Sequence, residues 1–488
     1  MSTRKSLLFS FLDRYAALAI DVVSSMLLAR LLTPGDIGVF SVTMTLLAFV
    51  STARDLGAGQ YVIQEQELTA ARLQAVWAVQ LGLGLLLALL VLAASAPMAS
   101  FYAEPRMESI MWVVALNYAV NPVGSITYAM LMRAMRYDSI AFIRFTGSLA
   151  GGATAVGLAW HGYGPMSLAW GNLCATVVTA LTSIFFRPAA LPWLPGFAEL
   201  PRVLGFGSRM TLTAVVDSLA KGAPDFFLGK LQGFATAGFY SRANGLVAMF
   251  NRLVTDGVYP VALSLFAKES RAEVDMRRSF TRSLSYVTVL AWPFATLACI
   301  LAHPLVIALY GDQWHDAVPV ARLLAIAMAL GIPIGLCHSV LVASGAIGKV
   351  VKASLSCAAV VLCLVVAGAW HGLPQLGMAI IAGSLASSVI WLAAVKSEIR
   401  FHWHDVLKAA APNPWLCAAV AIAPLSACAL WGFAPANPLP SLLLSAVLTP
   451  PLFLVTLRFI DHPFAGEMDR LLAGVKRKLG IGKAHKDA

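Results

Sequence analysis

Apolar residues in this chain come in long blocks, broken by short clusters of Arg, Lys, Asp, Gly and Pro. A helix needs about 20 mostly apolar residues to cross the hydrocarbon of a bilayer. The blocks therefore predict fourteen spanning helices, at about 7–31, 37–62, 73–97, 109–132, 139–160, 165–186, 207–231, 235–265, 283–310, 318–343, 350–370, 375–397, 413–433 and 439–460. Met1 to Leu32 is too long for the apolar part of a cleaved leader and lacks a small-residue cleavage pattern, so it reads as a first span that is retained.

Composition agrees with this pattern. Of 488 residues 59% are hydrophobic and 12% charged, against roughly 25% charged in soluble domains. This excludes a soluble globular domain, a disordered chain and a nucleic-acid-binding domain. The net charge of +11 then belongs to basic residues at the membrane surface, where they meet anionic lipid headgroups. With the N-terminus inside, 24 of the 35 Lys and Arg residues fall in inner loops and the tail, and Arg106 alone lies clearly in an outer loop. Both termini are expected in the cytoplasm. The seven Cys lie in apolar stretches without a CxxC, and read as small buried hydrophobes rather than disulfides or metal ligands. His402-Trp403-His404 reads as interfacial, and GAIGKV (345–350) lacks the spacing of a phosphate loop. No cofactor is implied.

An internal repeat divides the chain. LARLLTPGDIGVFS (28–41) matches LGKLQGFATAGFYS (228–241) at an offset of 200, pairing Leu28, Arg30, Leu31, Gly38, Phe40 and Ser41 with Leu228, Lys230, Leu231, Gly238, Tyr240 and Ser241. Six spans per copy is an even number, so the copies run parallel, related by an axis along the membrane normal. The expected organisation is an all-α polytopic protein with an N-lobe (1–190), a cytoplasmic linker (191–206), a C-lobe (207–400), two extra helices (401–460) and a basic amphipathic tail (461–488). The tail lies on the inner leaflet or is simply solvated.

Charges inside spans are costly and mark pathways by default. They concentrate in spans 1, 2, 7 and 8: Asp13, Arg14 and Asp21; Arg54 and Asp55; Asp217, Lys221, Asp225 and Lys230; Arg242, Arg252 and Asp256. Span 5 adds Arg144. A water-filled cavity between the lobes accounts for that concentration. Asp217, Lys221 and Asp225 form one helical stripe, with Pro224 placed to kink it. Asp21, Asp217, Lys221, Asp225 and Arg242 lie deepest. Arg30, Lys230 and Arg209 sit near span ends and read as snorkelling groups. Arg54–Asp55 and Arg252–Asp256 read equally as structural pairs, and Arg144 stays open between anchor and pathway.

These residues resemble a family. The segments 28–64, 225–246 (DFFLGKLQGFATAGFYSRANGL), 309–326 (LYGDQWHDAVPVARLLAI) and 133–144 (RAMRYDSIAFIR) are together similar to polysaccharide transporters of the Wzx type, nearest the colanic-acid exporter branch. The resemblance spans roughly 5–400. It implies the multidrug/oligosaccharidyl-lipid/polysaccharide exporter fold, two six-helix lobes in a V with helices 1, 2, 7 and 8 lining a central cavity. It further implies a flippase for undecaprenyl-pyrophosphate-linked oligosaccharides feeding exopolysaccharide, capsule or O-antigen assembly, in the bacterial inner membrane, beside a polymerase and a chain-length regulator. By position Arg14, Arg54, Lys221, Arg242 and Arg252 form the cationic cavity. Asp21, Asp217, Asp225 and Asp256 are the candidates for proton or cation coupling, since a carboxyl taken out of water resists ionisation. Span 11 lacks the acidic and amide residues through which the peptidoglycan-precursor branch binds sodium. The alternatives are a drug/cation antiporter or a peptidoglycan-precursor flippase of the same fold. A membrane polymerase or ligase is disfavoured by the short outer loops.

Overall fold

A computed structural model of the chain describes residues 19–55, 58–65, 67–189, 191–192 and 194–469, with side chains except at 52–55, 58, 60, 64, 202, 204–217, 250–254 and 256–257. Among the described residues all regular structure is helical. The helices are α1 (19–31), α2 (Pro34–Asp55), α3 (Ala58–Gln64), α4 (Ala70–Tyr102), α5 (Pro105–Arg133), α6 (Tyr137–Trp160), α7 (Met166–Phe185), α8 (Leu200–Leu231), α9 (Phe234–Arg271), α10 (Arg277–Ile300), α11 (Ala302–Tyr310), α12 (Ala317–Ala343), α13 (Ile347–His371), α14 (Leu373–Ile399), α15 (Trp403–Ala410), α16 (Asn413–Trp431) and α17 (Leu439–Phe459). Ten helical stretches among the described residues are long and apolar enough to span a membrane. The long helices α6, α8 and α9 carry more charge, and α1 is described from residue 19.

Two spans differ from the sequence expectation for physical reasons. The block 283–310 breaks at Leu301 into α10 and α11. Pro304 lacks the N–H that would bond to Ile300, and its ring clashes with that carbonyl. The block 37–62 becomes α2 and α3. The C-terminal carbonyls of α3 are taken by a side chain from elsewhere: Arg133 Nη1 donates to Val62 O at 2.9 Å and also to Glu65 O.

The chain divides into two compact units. The first comprises the chain up to Ser241 together with Tyr310–Trp314 and Val365–Leu376. Within it α4 packs on α5, α5 and α6 pack on α7, and α2 lies against α8. Lipid offers little hydrophobic drive for helices to associate, so small residues that allow close approach do the work. A Cβ on Gly151 would fall 2.6 Å from Ala175 Cβ, and one on Gly171 2.6 Å from Ala155 Cβ. A buried amide bonds across helices, with Asn117 Nδ2 donating to Asn172 Oδ1 at 2.8 Å.

The segment expected as a linker is docked on this unit. Leu191 is buried with Tyr61, Leu73 and Trp77, Gly196 N donates to Gln74 O at 3.1 Å, and the Arg187 guanidinium lies 5.8 Å from the Trp77 ring. In the second unit α10 is central, with α12, α15 and α16 against it and α17 against α16. Phe266, Phe280, Leu284, Leu336, Trp391 and Phe401 make its core. Asn413 Nδ2 donates to Thr288 Oγ1 at 2.8 Å, and Ser285 Oγ bonds His462 Nε2 at 2.8 Å. The His402 region starts α15, a short helix capped by Asp405, with Trp403 and Leu407 exposed and Lys396 Nζ 5.2 Å from the Trp403 ring. This is the arrangement of an interfacial helix.

Candidate functional site

The α2–α8 contact in the first unit contains the most deeply buried charge among the described residues. Three residues of α8 at helical spacing, Gly222, Asp225 and Gly229, face α2. A Cβ on Gly222 would meet Thr45 Cγ2 at 2.6 Å, and one on Gly229 would meet Val42 Cγ2 at 2.6 Å. Between them Ser41 Oγ donates to Asp225 Oδ1 at 2.9 Å. Asp225 is 7% exposed. A carboxylate so withdrawn from water depends on the groups around it, and one hydroxyl is a sparse shell.

Lys221 lies one turn before Asp225 on the same helix, and it is exposed. The stripe is thus divided: its carboxylate end is sealed in a helix seam and its ammonium is open. Pro224 lies inside α8, which runs unbroken from Leu200 to Leu231. Asp21 on α1 is exposed, and Arg242 on α9 is half-buried and belongs to the second unit. Arg144 is exposed on α6. Arg14 lies outside the described residues, as do the side chains of Arg54, Asp217, Arg252 and Asp256. Most of the tail, from residue 470 onwards, lies outside them too.

One end of the first unit gathers five helix junctions. The turn into α2 is a capping box: Thr33 Oγ1 accepts from Asp36 N at 3.2 Å, and Asp36 Oδ2 accepts from Thr33 N at 3.2 Å, with Pro34 at the first helical position. Asp36 Oδ1 also bonds Arg106 Nη1 at 2.8 Å, and Arg106 Nε bonds Glu104 at 2.8 Å. That bond from Arg106 holds the Glu104 carboxyl below its ordinary range. At the α4–α5 junction Tyr102 Oη donates to Phe226 O at 3.3 Å, and Lys230 Nζ donates to Phe101 O. From 310–314, Gln313 Nε2 donates to Ala29 O at 2.5 Å and Leu32 O at 3.2 Å, and Trp314 Nε1 donates to Ala29 O at 2.8 Å. Gln232 Nε2 donates to Ala369 O at 3.1 Å. Lys230, expected to snorkel, is exposed at the end of α8, bonds a helix-end carbonyl and lies 4.2 Å from the Phe101 ring centroid.

Sequence reasoning did not single out Ser41, Tyr102, Gln313 or Trp314 as functional. A signal existed for three of them. Ser41 is in the repeat, and Gln313 and Trp314 are the polar and aromatic members of the LYGDQW motif.

The arrangement places an exposed cation and a sealed carboxyl one turn apart on one long helix. A family model described as polysaccharide biosynthesis protein matches residues 27–319. The chain is 24% identical to the succinoglycan biosynthesis transport protein ExoT of Rhizobium meliloti (strain 1021), over 84% of this chain and 80% of that one. It is 24% identical to the lipopolysaccharide biosynthesis protein WzxC of Escherichia coli (strain K12), over 65% and 66%. Among solved structures, the lipid II flippase MurJ in an inward closed conformation superposes with a TM-score of 0.76 at 12% identity, covering 93% of this chain and 100% of that one. An inward-facing multidrug resistance MATE family transporter of the MOP superfamily gives 0.63 at 13% identity, covering 79% and 94%. With a family model matching more than half its length and a fold shared with these structures, the chain belongs to the polysaccharide biosynthesis protein family.

Proposed function

We propose that this protein flips undecaprenyl-pyrophosphate-linked oligosaccharide units across the bacterial inner membrane for exopolysaccharide, capsule or O-antigen synthesis. The observation that carries the reading is Lys221, an exposed ammonium midway along a spanning helix of a chain in the polysaccharide biosynthesis family. An ammonium facing lipid at that depth is strongly disfavoured, so Lys221 faces a water-filled path. A diphosphate is the natural partner for it. Lys221 and Arg242, with Arg14, Arg54 and Arg252, supply charge-assisted hydrogen bonds to the diphosphate and acidic sugars, while the lipid tail remains in the bilayer. Both termini are cytoplasmic, so the junction end with Arg106 and Trp314 faces outward. The lobes 1–190 and 207–400 alternate access by rocking, and Asp21, Asp217, Asp225 and Asp256 are the coupling carboxyls. A polymerase and a chain-length regulator act on the delivered units.

A second reading is a cation antiporter of the same fold, favoured by the MATE likeness and by the buried Asp225. Mass analysis of lipid-linked glycans in a deletion strain, with a sidedness assay, separates the two. Repeat units on undecaprenyl diphosphate should pile up on the inner leaflet, and Lys221→Ala or Arg242→Ala should fail to clear them although the protein inserts normally. Unchanged polymer together with new sensitivity to cationic dyes would overturn the flippase reading. Accumulated peptidoglycan precursor with lysis would move it to the cell-wall branch.

A further inference from the structure

The two copies of the repeated hairpin do not merely resemble each other; they cross. A Cβ built on Gly38 would fall 1.7 Å from the carbonyl oxygen of Phe234, and one built on Gly238 would fall 2.0 Å from the carbonyl oxygen of Pro34. The offset of 200 carries Gly38 onto Gly238 and Pro34 onto Phe234. The two contacts are therefore one contact made twice, about a local two-fold axis, with backbone against backbone and no room for any side chain.

On either side of this crossing, each copy is held by a loop that belongs to the other half of the sequence. The α4–α5 junction, from the first half, meets the end of α8, from the second. Lys230 Nζ donates to Phe101 O and Tyr102 Oη to Phe226 O, and the Tyr102 ring stands edge-on to Phe226 with centroids 5.9 Å apart. Residues 310–314, from the second half, meet the end of α1, from the first. Gln313 and Trp314 both donate to Ala29 O, and the fully buried Trp314 stands edge-on to Phe239 with centroids 6.0 Å apart. In both cases side-chain donors reach carbonyls at or near helix ends. The last turn of a helix leaves its carbonyls unbonded, so a side chain can take them and release them without unwinding the helix.

We propose that the outer end of the transport path is shut by this pair of exchanged latches, hung on the glycine crossing, and that Lys230, Gln313 and Trp314 set how often it opens. The proposal rests on the transport reading for its orientation and purpose. Lys230, read from the sequence as a snorkelling group at a span end, thereby becomes a gate residue. The latches are chemically unequal. One uses an ammonium and a phenol, the other an amide and an indole, so each can be weakened alone. Opening must part α2 from α8, which exposes Val42 and the Ser41–Asp225 pair together.

The test reads closure directly. Val42 is fully buried against Gly229. Val42→Cys should react slowly with a membrane-impermeant maleimide added outside intact cells, after subtraction of the native-cysteine background. Lys230→Ala or Gln313→Ala in that background should each raise the rate about 5-fold, the size expected for one net hydrogen bond. The two together should multiply. Lys230→Arg keeps the donor and should stay near the parent rate, which separates a latch from a general packing defect. Unchanged labelling in both Ala variants would reduce these contacts to ordinary helix-end packing and overturn the proposal. In a second arm, Val42→Cys with Gly229→Cys should form a disulfide, because a Cβ at 229 lies in contact with Val42. The locked protein should stop exporting glycan until it is reduced. Full export by the oxidised form would also overturn the gate. The labelling arm needs no substrate, so it still reports on the gate if the glycan assignment fails.

Discussion

The hairpins Leu28–Ser41 and Leu228–Ser241 are two answers to one problem, and they agree only in part. Both place a glycine where backbone meets backbone, Gly38 in one and Gly238 in the other. Both put a cation one turn or so before the bend, Arg30 and Lys230. Their bends are built differently. The first is a Thr33–Asp36 capping box on Pro34, tied on through Arg106 to Glu104. The second turns on Gly233 at φ +87° and has Thr236 where the first has Asp36. The buried chemistry differs as well. Asp225 bonds Ser41, whereas the offset puts Ser25 at the position equivalent to Asp225 and Ser241 at that of Ser41. Close packing tolerates no substitution and so keeps both copies alike. A bend or a polar group can be made in several ways, and there the copies are free to diverge.

The largest effect should come from the shared part. Gly38→Val and Gly238→Val should each cut polymer export by at least about tenfold, because a side chain there overlaps a carbonyl and must part the helices. A variant pair of unequal severity would break the equivalence of the crossing. Next comes the unshared carboxyl. Asp225→Asn keeps an acceptor for Ser41 but removes the charge change, and export should fall about tenfold if one coupled charge is lost. Ser25→Ala, at the equivalent place, should stay within about twofold. Equal losses from both would mean that the seam needs polarity and not titration.

The bends predict smaller shifts, readable as thermal stability of the purified protein. Gly233→Thr forces a β-branched residue to φ +87° and should destabilise by about 1–3 kcal/mol. Thr33→Gly, its mirror exchange, should lose only a few tenths of a kcal/mol, since glycine is a tolerable cap. The smallest effect is with pH. Glu104 lies below its ordinary value in the folded protein because of Arg106, so the unfolded chain binds the proton first. The stabilisation is complete above the ordinary glutamate value of about 4.3 and is lost as pH falls through the lowered one. Acid should therefore loosen the first hairpin below about pH 4, with the effect gone in Arg106→Gln. The second hairpin, whose ties are Lys230 and carbonyls, should not share that transition.

Much of this was legible in the sequence because it follows from local rules. Blocks of apolar residues predict spans, and a bilayer leaves a chain few other options. The offset of 200 is visible in the residues themselves, and it pairs Gly38 with Gly238. TPGD is a helix start by its chemistry alone. The Lys221–Asp225 stripe could be read from spacing, yet its division into an open ammonium and a sealed carboxyl could not. That division depends on Ser41, 184 residues away from Asp225. Lys230 looked like an anchor because nothing near it in sequence accepts a hydrogen bond across a helix end; its acceptor, Phe101 O, is 129 residues distant.

The sequence by itself determined an all-helical, multi-pass membrane protein with a hairpin repeated at an offset of 200. Hydrophobicity, length and repetition are properties of neighbouring residues and survive without a third dimension. Only the tertiary structure decided which charge is buried, which is open, and which loops exchange partners around the glycine crossing. Those choices are made by atoms a few ångströms apart in space and hundreds of residues apart in the chain. Exposure and hydrogen bonding at such a site are settled by the helix that arrives from the other half.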